Sequence, residues 1–124
     1  MKNDKQAVIS AFETFVKAGD QRDLSGLEEI LHPEFRVVLN QAFGSAELMV
    51  WNKETYLEMA RSGKIGGSER GIKVRKVLVN GNNAFVEADL SSGPMDFFGQ
   101  YSFVRNAEGK WQLLQDLPRV VKKG

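Results

Sequence analysis

Residues 71–121 read GIKVRKVLVNGNNAFVEADLSSGPMDFFGQYSFVRNAEGKWQLLQDLPRVV, and this stretch decides the fold. Four apolar runs stand in it: Ile72–Val79, Ala84–Leu90, Phe97–Val104 and Trp111–Val121. Between them lie Asn80-Gly81-Asn82-Asn83, Ser91-Ser92-Gly93-Pro94 and Asn106-Ala107-Glu108-Gly109. These separators carry the glycine, asparagine, serine and proline residues that tight antiparallel connections require. The second half of the chain therefore predicts a four-stranded meander.

Strand alternation sorts its side chains onto two faces. Ala84, Val86, Ala88 and Leu90 share one face, and Phe85, Glu87 and Asp89 the other. In the next run Phe97, Gly99, Tyr101 and Phe103 oppose Phe98, Gln100, Ser102 and Val104. Gly99 inside a strand predicts a bend that curves the sheet. By the same alternation Asp116 falls opposite Trp111 and Leu113, so the expectation is an outward or rim-facing carboxylate.

Upstream the period changes to that of helices. Val8, Ile9, Phe12, Phe15 and Val16 form one apolar stripe over about Asp4 to Ala18, with Asn3 or Asp4 as cap and Gly19 at the end. Asp23 caps a second helix carrying Leu24, Leu27, Ile30 and Leu31, which Pro33 ends. Phe35, Val37 and Leu39 then alternate as a strand, Gly44-Ser45 signals a turn, and Ala46–Trp51 is the return strand. Asn52 caps a third helix, Lys53 to about Ser62. The expected class is α+β: three N-terminal helices packed in the concave face of a strongly curved, mostly antiparallel sheet.

The chain has 124 residues, enough for one core and too few for two, so residues 1–124 are expected to form a single domain. Seventeen Lys and Arg stand against sixteen Asp and Glu, a net charge of +1. A nucleic-acid binder needs a clustered basic excess to neutralise phosphates, so that class is set aside. No cysteine is present, which removes disulfides, thiolate nucleophiles and Cys-based metal sites. Met1–Gln6 is polar, unlike the apolar core of a signal peptide, and no apolar run approaches the ~20 residues of a membrane span. The expected location is the cytoplasm, without membrane contact.

At this level the chain resembles the nuclear transport factor 2-like (NTF2-like) superfamily over nearly its whole length. The carriers are Phe12-Glu13-Thr14-Phe15, Gly19-Asp20-Gln21-Arg22-Asp23-Leu24 leading into Leu27, and His32-Pro33-Glu34-Phe35. Val79–Ala84 at a hairpin and Gly109-Lys110-Trp111-Gln112-Leu113 opening the last strand continue the pattern. Tyr56-Leu57-Glu58-Met59 through Gly63–Gly67 looks most like the bacterial, SnoaL-like branch called putative lumazine-binding. The resemblance implies a cone-shaped α+β barrel that dimerises through its outer sheet, and a range of roles from isomerases, dehydratases and polyketide cyclases to plain binders. Fold alone does not choose among them. The ketosteroid-isomerase branch needs a carboxylate base near Asn40 and a tyrosine on the first helix, where this chain has an amide and Phe12 and Phe15. The chain departs from that mechanism.

Among individual residues, His32 is the only histidine; ending a helix before proline, it reads as a structural donor to free carbonyls. With no second histidine and no ligand spacing among the acids, no metal is expected. Gly63–Gly67 lacks a phosphate-cradling pattern, and no cofactor is expected. The candidate catalytic residues are Asp116, Asp96 and Tyr101, with Tyr56 as a further hydroxyl donor. The candidate ligand-binding set is Asn40, Met49, Trp51, Tyr56, Met59, Tyr101, Phe103 and Trp111. Most of that set is large and apolar, so plain core is the competing reading; buried Tyr and Trp also want a polar partner, which favours a pocket. The leading expectation is a binder of a small apolar or planar organic ligand, acting as a homodimer with Phe85 and Phe98 on the outer face. The alternatives are an isomerase, cyclase or dehydratase acting on a hydrophobic carbonyl compound, and a protein-interaction module.

Overall fold

Asn3 starts the first helix by accepting hydrogen bonds on its side-chain oxygen from the backbone N–H groups of Lys5 and Gln6. The structure, a computed structural model, describes residues 3–123. Helix α1 (Asp4–Asp20) buries Val8, Phe12, Phe15 and Val16 along one face. Each such side chain removed from water contributes roughly 1.5–3 kcal/mol, which ties the helix to whatever covers that face. The Asp23 carboxylate accepts from Gly26 N at 3.0 Å and opens α2 (Leu24–Ile30).

Pro33 predicts where α2 must end, yet the helix stops earlier. Leu31 is already extended and begins β1 (Leu31–Asn40), where it pairs with Leu113. Tertiary pairing wins over the remaining helical turn. His32, expected as a donor to free carbonyls, instead accepts at Nδ1 from Glu34 N at 3.0 Å, a local turn contact. Strand β2 (Leu48–Asn52) returns antiparallel to β1, two residues shorter at its start than the apolar pattern implies. Asn52 then accepts from Thr55 N at 2.9 Å to start α3 (Lys53–Arg61).

The predicted meander follows as β3 (Gly71–Asn80), β4 (Asn83–Ser91), β5 (Met95–Arg105) and β6 (Trp111–Lys122). The six strands form one sheet in the order β2-β1-β6-β5-β4-β3, antiparallel except for the β1–β6 pair. All three helices contact the inner face of this sheet, giving the α+β cone expected from the sequence. Its core is aromatic: Phe12 lies 4.6 Å from Tyr101 and 6.5 Å from Phe103 between ring centroids, and Phe35 stands edge-on to Tyr56 at 5.3 Å.

One irregularity in β6 changes the reading of its side chains. Gln115 pairs with Ser102 and Leu113 with Phe103, leaving Leu114 as an extra residue opposite neither. Such a bulge reverses the alternation beyond it. Trp111 and Leu113 point inward before it; Asp116 is buried after it. The outward position expected for Asp116 is thereby corrected. On the outer face Phe98 is exposed and Phe85 half-buried.

Candidate functional site

A cavity of about 220 Å³ lies between the inner sheet face, the C-terminal end of α1, α3 and the loop that joins α3 to β3. Its wall is largely apolar, with Leu27, Val37, Leu39, Ile65, Phe97 and Val120 among its residues. Tyr56, Tyr101, Asp20, Arg70 and Asp116 supply its ionisable groups, joined at the mouth by exposed Lys64.

Asp116 is the buried carboxyl of this wall. Only 8% of the residue is exposed, and its Oδ1 atom is buried without a hydrogen-bond partner among the described residues. Burial pushes its carboxyl up to about 7, against the opposing pull of the Arg70 charge. Directly across the strand pair stands Tyr101, its Cα partner. Burial and the nearby Asp116 charge drive the hydroxyls of both Tyr101 and Tyr56 further above the ordinary tyrosine value, against the pull of Arg70. Both therefore remain proton-bearing donors at neutral pH.

Gly99 makes room for this arrangement. A Cβ there would lie 2.5 Å from Tyr101 Oη and 2.6 Å from the ring carbon that bears it, so the Tyr101 ring occupies the volume a side chain would fill. The sequence predicts a bend at Gly99; the contact shows a second role, as the floor under a tyrosine.

The polar wall is held by two arginines. Arg70 donates from N to Asp20 Oδ2 at 3.0 Å and from Nε to Asp20 Oδ1 at 2.5 Å, and its guanidinium lies 5.1 Å from the centre of the Phe97 ring. Arg22 clasps the α3–β3 loop, donating to the carbonyls of Ile65 at 2.9 Å and of Gly63 and Gly66 at 3.0 Å each. Gly67 N completes the attachment to Asp20 O at 2.9 Å. Gly67 has φ +89°, and a Cβ on it would meet the Arg22 guanidinium at 2.7 Å.

The structure brings four of the sequence candidates together: Trp51, Tyr56, Tyr101 and Asp116 line the cavity. The others stand elsewhere. Asn40 is exposed at the end of β1, beside Leu48 on β2. Met49 is half-buried against the core, and Met59 is half-buried on α3; neither lines the cavity. Phe103 is buried against Phe12, and Trp111 packs under Arg105 at 5.0 Å, away from the cavity. Asp96 accepts from Ser91 Oγ at 2.7 Å and pairs with Lys123 at 3.3 Å; the Ser91 bond, helped by Lys123, holds its carboxyl below the usual range.

Asp20, Lys64, Arg70 and Phe43 line the cavity without having been singled out from the sequence. Phe43 sits at the mouth, 59% exposed and at φ +54°, a backbone geometry phenylalanine rarely adopts. The one trace of the decisive bulge is the Leu113-Leu114 doublet, which breaks the alternation of β6. Among the described residues no cluster of His, Cys, Asp and Glu could hold a metal ion, and no helix is long and apolar enough to cross a membrane.

Comparisons with known proteins agree on the architecture. No curated protein matches the chain. An NTF2-like protein of unknown function from Silicibacter pomeroyi superposes with a TM-score of 0.80 at 20% identity, covering 94% of each chain. A conserved protein from Planctomyces limnophilus gives 0.82 at 16% identity, over 97% of this chain and 98% of that one. A ketosteroid isomerase-like protein from Erwinia carotovora atroseptica gives 0.78 at 13% identity, over 99% and 100%. At such identities the likeness concerns the fold. The family model described as "Putative lumazine-binding" matches residues 3–117, and the chain, whose fold is NTF2-like, belongs to that family.

Proposed function

We propose that this chain binds a small planar organic molecule in the cavity between α3, the α3–β3 loop and the sheet. The observation that carries this reading is a cavity whose largely apolar wall also holds Tyr56, Tyr101 and the buried carboxyl of Asp116. Such a cavity, apolar with a few directed polar groups, suits a small planar ligand that fills it and hydrogen-bonds to those groups. The family's description, which names lumazine binding, supports a ligand of planar, hydrogen-bonding character. Trp51 in the cavity wall provides the readout. Planar heteroaromatic compounds are expected to change its fluorescence and raise the melting temperature. A panel of such compounds that does neither overturns the reading.

A second reading is favoured by the facing of Tyr101 and Asp116 across β5 and β6. A carboxylate titrating near neutral pH beside two neutral hydroxyl donors suits proton transfer on a hydrophobic carbonyl compound, as an isomerase, cyclase or dehydratase requires. Asp116 would be the base, with Tyr101 and Tyr56 holding the developing oxyanion. Deuterium exchange at the α-carbon of an enolisable ketone tests it: exchange that survives Asp116→Asn excludes this role. Both readings take residues 1–124 as one cytoplasmic domain without a cofactor, dimerising through the outer sheet face around Phe85 and Phe98. A monomeric mass in solution removes the dimer.

A further inference from the structure

The two edges of the sheet are built differently. At one edge, β3 exposes Lys73, Arg75 and Lys76, and its pairing with β4 slips at Arg75, between Val74 and Lys76. Charged side chains and bulges are the devices by which a sheet keeps other strands off its edge. At the other edge, β2 has neither. Leu48-Met49-Val50-Trp51-Asn52 carries no charge and pairs with β1 in unbroken register. Met49 stands opposite buried Leu39, so Met49 and Trp51 point inward and Leu48 and Val50 outward. Leu48 is 61% and Val50 56% exposed. Among the described residues, no backbone hydrogen bond leaves Leu48–Trp51 except toward β1. The far side of β2 is therefore open to a further strand.

A second copy of this chain fits that opening. Antiparallel pairing about a two-fold axis at Met49 sets Leu48 opposite the second copy's Val50, and Val50 opposite its Leu48. The exposed branched side chains then cover one another on the outer face, and the two Met49 residues oppose each other on the inner face. The flanking charges do not oppose this. Glu47 is exposed to solvent, and Lys53 is already bonded to Glu28 and to the carbonyls of Glu28 and Leu31. The same operation at β3 would bring Lys73, Arg75 and Lys76 against their own copies, which like charge opposes. A partner strand chosen by its charge finds nothing to pair with on β2.

We propose that β2 is a self-pairing edge, through which two copies join antiparallel along Leu48–Asn52 into one continuous sheet. This interface is separate from the outer-face contact around Phe85 and Phe98, and it is independent of what the cavity holds.

The chain has no cysteine, so single cysteines report the pairing without background. Met49→Cys places a thiol at the proposed axis, where opposed residues of an antiparallel pair lie within the Cα separation that a disulfide spans. Val74→Cys is its counterpart on β3, likewise half-buried and directed inward opposite Ala88. Under mild oxidation Met49→Cys is expected to form disulfide-linked dimers at least about tenfold faster than Val74→Cys. Inward-facing Met49 positions cannot meet across an outer-face dimer, so that contact cannot supply the cross-link. Adding Val50→Lys, which gives β2 the kind of charge that β3 carries, should slow the reaction to the Val74→Cys rate. Val50→Lys alone should halve the mass found by sedimentation while leaving the circular dichroism unchanged, because Val50 is exposed. Equal rates at the two edges, a Met49 cross-link that Val50→Lys does not slow, or a mass that Val50→Lys does not alter overturns the inference. Each of these results leaves the reading of the cavity untouched.

Discussion

At one end of the inner sheet face Phe12, Phe103 and Leu113 close on one another; at the other, Tyr56, Tyr101 and Asp116 stand around an open volume of about 220 Å³. The same two strands, β5 and β6, run through both ends. The packed end keeps strict alternation, with Phe103, Trp111 and Leu113 buried on the inner face. Past the Leu114 bulge the alternation reverses, and Asp116 takes the inward position opposite Tyr101 that unbroken pairing would give to Gln115. A packed end and an end bordering the cavity are thus divided along the length of one strand, with the bulge as the boundary.

The largest break of this contrast is expected at the packed end. Phe12→Ala should cost about 3–5 kcal/mol in urea denaturation, because the helix cannot collapse onto both Tyr101 and Phe103 to fill the void. A loss below 1 kcal/mol would show that this end is not packed as described.

At the open end the sign reverses. The unfolded Asp116 carboxyl loses its proton near 3.8 and the folded one near 7, so between those values the native state holds more protons. Native stability should therefore fall by on the order of 3–4 kcal/mol as pH rises from 4 to 8, with this contribution flat above that range. Asp116→Asn should erase that slope and leave the protein more stable than the parent at pH 8. A variant less stable than the parent at pH 8 would contradict an unpaired carboxylate.

Gly99→Ala tests the open end at Tyr101. The new methyl collides with the Tyr101 ring, so the side chain must swing away. The expected loss is about 1–3 kcal/mol, accompanied by a change in the near-ultraviolet dichroism of tyrosine. The smallest effect is expected from Arg22→Ala, which removes three exposed hydrogen bonds to the α3–β3 loop. Global stability should drop by about 1 kcal/mol, and amide exchange should quicken selectively across residues 63–70. Uniform quickening through the sheet would refute a local clasp.

Much of this was readable in the residues. Turn chemistry at Asn80–Asn83, Ser91–Pro94 and Asn106–Gly109 marked every hairpin of the meander, and parity placed Gly99, Tyr101 and Phe103 on the inner face. Turns and alternation are local, so one sequence suffices for them. Two kinds of information are not local. The bulge inserts a residue whose presence is settled by the partner strand, and it moved Asp116 from the outside to the cavity. The Asp20–Arg70 pair joins residues fifty positions apart, which no spacing rule links. Trp111 and Phe103 show the opposite limit: their residue types suit a pocket equally well, and only the packing of Phe12 and Arg105 against them settles their place in the core.

Arg22 gives the cavity a wall of a different material from the rest. The sheet is held by buried side chains, whose grip water cannot easily compete for; residues 63–66 of the α3–β3 loop are held by a guanidinium in contact with solvent, whose bonds water can replace one at a time. Solutes that compete for hydrogen bonds should loosen the loop at concentrations the sheet withstands. Attachment of the loop and integrity of the sheet are therefore set by different forces, and mutation at Arg22 should weaken the first far more than the second.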